Sequence, residues 1–136
     1  MRYNGVIQRK LALLSQQVLR LEGSLNGVSL SEFQENWVLR SMAERALQVA
    51  AEIIIDVAER ILALEKSGPA ATAAEALESL VRLGVLKSAQ PYVNITRFRN
   101  LIVHQYEEID PVILFDLAKN RLNDFRKFRD EIDALQ

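Results

Sequence analysis

The chain has 136 residues, of which 17 are basic and 18 acidic, giving a formal net charge of −1, with no cysteine and one histidine, His104. Lack of cysteine excludes disulfides, thiolate metal sites and a Cys nucleophile, and one imidazole excludes a multi-histidine metal site unless carboxylates supply nearly all the ligands. The balanced charge argues against a generally basic nucleic-acid wrapper, and the length suits one domain over residues 1–136 with a self-sufficient core.

Abundant Ala, Leu, Glu, Arg and Ile, with only five glycines and three prolines, predict an all-helical fold. A first helix over residues 4–22 places Ile7, Leu11, Leu14, Val18, Leu21 and Leu25 on one stripe, and Gly23 is expected to stop it. Ser29 with Glu32 makes a capping box, and Ser31 with Gln34 offers a second register. Either opens a long helix to about residue 66, with a kink near Asn36. Leu39, Met42, Ala46, Val49, Ile53, Val57 and Leu64 are its expected core stripe. Residues 50–58 are apolar except for Glu52 and Asp56, so this helix should lie against several neighbours. Gly68 and Pro69 break it.

Thr72 and Glu75 cap a short helix that Gly84 ends. Pro91 suits the first turn of a fourth helix, which holds Tyr92 through His104. Asp110 and Pro111 read as N-cap and N1 of a last helix with the stripe Phe115, Ala118, Leu122, Phe125, Phe128, Ile132 and Leu135. Short connections favour an up-and-down antiparallel helical bundle of four main helices plus a short one. The amino-terminal residues lack the apolar stretch of a signal peptide, and no apolar run nears the ~20 residues that cross a bilayer. A soluble, cytoplasmic protein without membrane contact is expected.

The chemistry-bearing residues concentrate in Arg97-Phe98-Arg99-Asn100-Leu101-Ile102-Val103-His104-Gln105-Tyr106, followed by Glu107, Glu108 and Asp110. An arginine fork binds phosphate and stays charged, while an imidazole moves protons near neutrality. Together they suffice for general acid/base attack on a phosphodiester without a metal. In an ideal helix Arg99 and His104 point roughly 140° apart, whereas Arg99 and Tyr106 nearly share a face. Both catalytic candidates reach one phosphate only if the helix loosens around His104 or a second subunit completes the site. On residue types alone another reading stands: Arg99 pairs with a buried carboxylate and His104 is structural. Tyr106 likewise reads as an ordinary helix-end tyrosine.

Glu52 and Asp56 lie one turn apart on the second long helix and need partners, which Arg99 or Arg45 can supply. A bundle salt bridge that orients Arg99 is the expected role. Lys119, Arg121, Arg126, Lys127 and Arg129, interleaved with Asp124, Asp130 and Glu131, read as a solvated face rather than an RNA track.

The segment from Arg99 to Tyr106 resembles the Arg-x4–6-His signature of HEPN-domain ribonucleases. Asn100 after the arginine and Tyr106 two residues after the histidine are similar to the HepT branch. The approach Leu80 to Leu86 and the Ile109-Asp110 pair that follows the tyrosine fit as well. The resemblance implies a HEPN-like bundle and the toxin of a toxin–antitoxin pair, a metal-independent RNA endonuclease needing no cofactor. It implies Arg99 and His104 as the catalytic pair, with Asn100 ordering the site, beside Glu52 and Asp56, whose site-ordering role is read from the residue pattern itself. It further implies a homodimer with both motifs at the subunit interface, within a larger complex with an MntA-like nucleotidyltransferase antitoxin. That partner is expected to neutralise the toxin by attaching AMP to Tyr106. Two other classes are weighed. A non-catalytic HEPN module would only dock a nucleotidyltransferase or bind nucleotide. A phosphotransfer bundle usually has Lys and Gly shortly after its histidine, where this chain has Gln105 and Tyr106.

Overall fold

The computed structural model describes residues 3, 5–104 and 109–135, with Val103 and His104 described by backbone alone. The described residues form seven helices: α1 (Val6–Leu25), α2 (Leu30–Glu35), α3 (Trp37–Leu64), α4 (Ala73–Arg82), α5 (Gln90–His104), α6 (Pro111–Asn120) and α7 (Leu122–Asp133). The all-helical expectation holds. None of these helices is long and apolar enough to cross a membrane.

Helix α1 buries Ile7, Leu11, Leu14, Val18, Leu21 and Leu25, the stripe that the four-and-three spacing predicts. Its end differs from expectation. Gly23 stays helical, and Gly27 takes the left-handed backbone, at φ 76. The reason is burial: continuing past Gly23 buries Leu25, which stabilises by about 2 kcal/mol and outweighs the ~1 kcal/mol cost of a helical glycine.

The expected long second helix is two helices. Ser29 caps α2 in the first of the two registers, its Oγ accepting from the Glu32 N–H at 3.1 Å. At Asn36 the backbone turns extended, φ −107 and ψ 96, and the side chain caps α3 by accepting from the N–H groups of Val38 and Leu39. The kink is therefore a full interruption with its own cap. It sets α2 against α6, where Phe33 is fully buried and its ring lies 5.1 Å from that of Phe115.

Helix α3 contacts all six other helices. Its buried face includes Ala43, Ala46, Ala50, Ala51 and Ala58, whose small side chains permit close approach, besides Leu47, Ile54, Ile55, Val57, Ile61 and Leu62. The expected stripe was partly misplaced: Leu39, Met42 and Ile53 pack at the core edge, and Leu64 is 62% exposed. A helix that is apolar on most sides does not reveal its buried face by periodicity.

Thr72 caps α4 and Gly84 follows its end at φ 78, as expected. The Glu75 carboxylate reaches back past the cap to the N–H of Ala71, a variant of the box's reciprocal bond. Asp110 caps α6 through the Val112 N–H, with Pro111 in the first turn. The last helix is interrupted at Arg121, yet Ala118, Leu122, Phe125, Phe128 and Ile132 of the expected stripe are buried on both sides of the break, with Leu114 buried as well and Phe115 and Leu135 packing at the core edge. Cross-links give the helix directions. Tyr3 bonds Glu65 and Lys10 pairs with Asp56, so α1 and α3 are antiparallel. Arg129 bonds Ser15 and Arg126 pairs with Glu22, so α1 and α7 are antiparallel too.

Candidate active site

On α5 the residues Tyr92, Ile95 and Thr96 are buried, and Arg99 continues that face by one turn. Its aliphatic stem therefore runs over the core and its guanidinium meets α3. The side chain is 32% exposed. Arg99 Nε lies 4.0 Å from Glu52 Oε1, and this nitrogen is buried without a hydrogen-bond partner. Nη1 donates to Asn100 Oδ1 at 2.9 Å. Among the described residues no hydrogen bond engages Nη2.

Glu52 Oε1 also accepts a 3.2 Å hydrogen bond from Gln48 Nε2. The structure thus brings Arg99, Asn100 and Glu52 together, and adds Gln48. Sequence reasoning missed Gln48, although an amide four residues before a carboxylate on a helix was the available signal.

Asp56 belongs to a different cluster. It pairs with Lys10 at 2.5 Å and with Arg60 at 3.2 Å, rather than with Arg99 or Arg45. Partial burial pushes its carboxyl up, but the hydrogen bonds and charges of Lys10 and Arg60 outweigh that and hold it below the usual carboxylate range. Asp56 therefore ties α1 to α3 one turn beyond the arginine site. It does not touch Arg99 because its carboxylate is already held from the α1 side.

Helix α5 keeps helical backbone to His104, its last residue. Within one chain, positions 99 and 104 thus sit about 140° apart around the axis. The His104 side chain, Gln105, Tyr106, Glu107 and Glu108 lie outside the described residues.

The basic residues of the last two helices serve the fold. Lys119 Nζ donates to the Leu25 carbonyl at 2.7 Å and lies 5.8 Å from the Phe115 ring centroid. Arg126 pairs with Glu22, and Arg129 bonds Ser15 and Asp130. This agrees with a solvated structural face. Two cavities, of ≈ 620 Å³ beside Val85, Leu86 and the end of α7 and ≈ 540 Å³ beside Lys66 and Pro69, are lined by neither Arg99 nor Glu52. Asn94, Phe98 and Leu101 share one face of α5, and Phe98 lines a small cavity with Ile113 of α6. Leu101 and Ile113 are 43% and 50% exposed.

Comparison with known proteins gives the family and the fold. Residues 14–132 match the HepT-like family, described as Ribonuclease HepT-like. The tRNA nuclease HepT of Aphanizomenon flos-aquae (strain 2012/KM1/D3) is 29% identical over 112 residues, covering 81% of this chain and 76% of that protein. The mRNA nuclease HepT of Shewanella oneidensis is 24% identical over 135 residues, covering 96% and 98%. The fold is shared with the tri-AMPylated Shewanella oneidensis HEPN toxin solved in complex with an MNT antitoxin. That likeness has a TM-score of 0.88 at 23% identity, over 97% of this chain and 99% of that one. A toxin–antitoxin structure with AMP-PNP gives a TM-score of 0.87 at 22% identity, over 96% and 99%. With the family match spanning nearly the whole bundle and including the Arg99 segment, the chain belongs to the HepT-like ribonuclease family.

Proposed function

We propose that this protein is the toxin of a toxin–antitoxin pair, a metal-independent RNA endonuclease whose catalytic pair is Arg99 and His104. The observation that carries the reading is the state of Arg99. Its guanidinium is half-buried and oriented by Asn100, yet it stands 4.0 Å from Glu52 rather than in a closed ion pair. With the pair open, the guanidinium has donors to offer a phosphate.

In the proposed reaction the ribose 2′-oxygen attacks phosphorus and the bond to the 5′-oxygen breaks. His104 takes the 2′-OH proton or protonates the leaving oxygen, and Arg99 stabilises the negative phosphorane-like transition state. The product is a 2′,3′-cyclic phosphate, and no step requires a metal.

The roughly 140° between positions 99 and 104 supports a homodimer in which two copies complete the site. The exposed apolar side chain of Leu101, on the same helix as Arg99 and between it and His104, supports the same arrangement. Partnership with an MntA-like nucleotidyltransferase, and attachment of AMP to Tyr106, are proposed from the HEPN toxin structure that is AMPylated and bound to an MNT antitoxin. AMP two residues from His104 adds bulk and negative charge, which compete with RNA for Arg99.

The test is cleavage of total tRNA and of an mRNA transcript by protein expressed without a nucleotidyltransferase. Wild type is expected to cut in excess EDTA and leave cyclic phosphate ends, while Arg99→Ala and His104→Ala are inactive. Cutting that EDTA abolishes, or that survives His104→Ala, overturns the mechanism. No cutting by folded, unmodified wild type favours a non-catalytic docking module.

A further inference from the structure

We propose that Gln48 is a positioning residue of the arginine site, acting through Glu52 to set how far Arg99 is released toward RNA. The inference rests on the catalytic reading of Arg99 given above and adds to it a residue that the motif does not contain.

One carboxylate oxygen, Glu52 Oε1, faces two donors. Gln48 Nε2 holds it at 3.2 Å, from the preceding turn of the same helix. Arg99 Nε lies on its other side at 4.0 Å, buried and with no hydrogen bond. A buried donor without a partner carries a desolvation penalty that closing onto Glu52 would remove. Opposite charges also draw the two groups together. The gap therefore persists against two forces, and among the described residues the hydrogen bond that holds Glu52 Oε1 against them is that of the Gln48 amide.

Gln48 suits this task because its amide is neutral. It satisfies the carboxylate without neutralising it, so Glu52 still orients Arg99 by its charge. Asn100 meanwhile holds Nη1, which fixes the plane of the fork. Without the amide, Glu52 and Arg99 satisfy each other. The guanidinium then moves toward α3, and its charge is shared with a carboxylate before any phosphate arrives.

The site predicts opposite behaviour for two backgrounds. Gln48→Met keeps the approximate volume and removes the donor. Single-turnover cleavage of total tRNA at saturating protein should fall by about tenfold, the size expected for neighbours coupled through one network. In Glu52→Gln the charge that pulls Arg99 is absent, so adding Gln48→Met should change the rate less than twofold. Thermal unfolding of all four proteins accompanies the rates, because a packing role for Gln48 costs stability equally in both backgrounds. An unchanged or faster rate in Gln48→Met overturns the proposal, as does an equal loss in both backgrounds. Should Glu52→Gln fail to fold, Glu52→Met supplies the uncharged background instead, and the same two outcomes apply: a change under twofold on adding Gln48→Met is expected, and a loss equal to that in the wild-type background overturns the proposal. Arg99→Ala separates the two levels: if it cleaves normally the catalytic reading fails, and if it alone is inactive only the role of Gln48 fails.

Discussion

Arg99 Nε and Glu52 Oε1 face each other at 4.0 Å across the contact of α5 with α3, close enough to orient and too far to hydrogen-bond. Both side chains are partly exposed, so solvent screens the attraction, and such a pair contributes about 1 kcal/mol or less to stability. Its value is directional. The carboxylate draws the guanidinium toward α3, and Asn100 fixes the plane from the other side.

Arg99→Lys tests whether the planar fork matters beyond its charge. Lysine keeps the positive charge but cannot donate to Asn100 and a phosphate in one plane. Cleavage should fall by about 100-fold, the scale of losing a transition-state donor, while the melting temperature moves by only about 2 °C. Retention of most activity would show that Arg99 acts as a simple charge.

Tyr106→Phe separates modification from catalysis. The phenylalanine variant should cut RNA at close to the wild-type rate when no nucleotidyltransferase is present. Incubated with an MntA-like enzyme and ATP, wild type should gain AMP in an intact-mass measurement and lose activity. The variant should do neither, and AMP on the variant would place the modification elsewhere.

Asp56→Asn should lower stability at neutral pH through loss of the Lys10 and Arg60 contacts. The native carboxyl titrates below its ordinary value of 3.8, so this contribution is present above that pH and disappears as pH falls through the native value. The side chain is 39% exposed, which limits the effect to about 1 kcal/mol, or ~2–4 °C. Melting curves of both proteins should converge once the pH has fallen through the native titration of Asp56, below its ordinary value of 3.8. A difference that persists there would assign the effect to packing.

Tyr92→Phe addresses the core. Tyr92 is fully buried, its hydroxyl donates to Glu131, and the same carboxylate caps the N–H of Lys87. Burial first, and the Glu131 carboxylate second, push the phenol far above its ordinary value of 10.0. The stabilisation is therefore complete below pH 10.0 and is lost only above it. Removing the hydroxyl should cost about 1–2 kcal/mol by denaturant titration from pH 7 to 9, with cleavage unchanged. A neutral substitution would mean that Glu131 finds other donors.

Much of the fold was legible because its signals are local. Ser29, Thr72 and Asp110 start their helices where cap chemistry predicts, since a side-chain oxygen meets an N–H two or three residues away. The α1 stripe was legible because that helix has a single apolar face. Gly23 was not read correctly, and the break at Asn36 was placed correctly but read only as a kink; packing between distant segments accompanies both. Burial of Leu25 carries α1 past Gly23, and Phe33 packing on Phe115 accompanies the turn at Asn36. The broad burial of α3 was expected, but which of its faces is innermost was not.

The candidate site divides in the same way. By itself the sequence determined the arginine–histidine spacing, the neighbouring asparagine and tyrosine, and the two carboxylates on the central helix, because these are patterns of residue type and short separation. Only the tertiary structure decided which carboxylate meets Arg99. Glu52 and Asp56 are a single turn apart and look equivalent as a pattern, yet α5 covers one while Lys10 of α1 takes the other. Short-range order is written along the chain, whereas the partner of a charge is settled by which helix packs beside it.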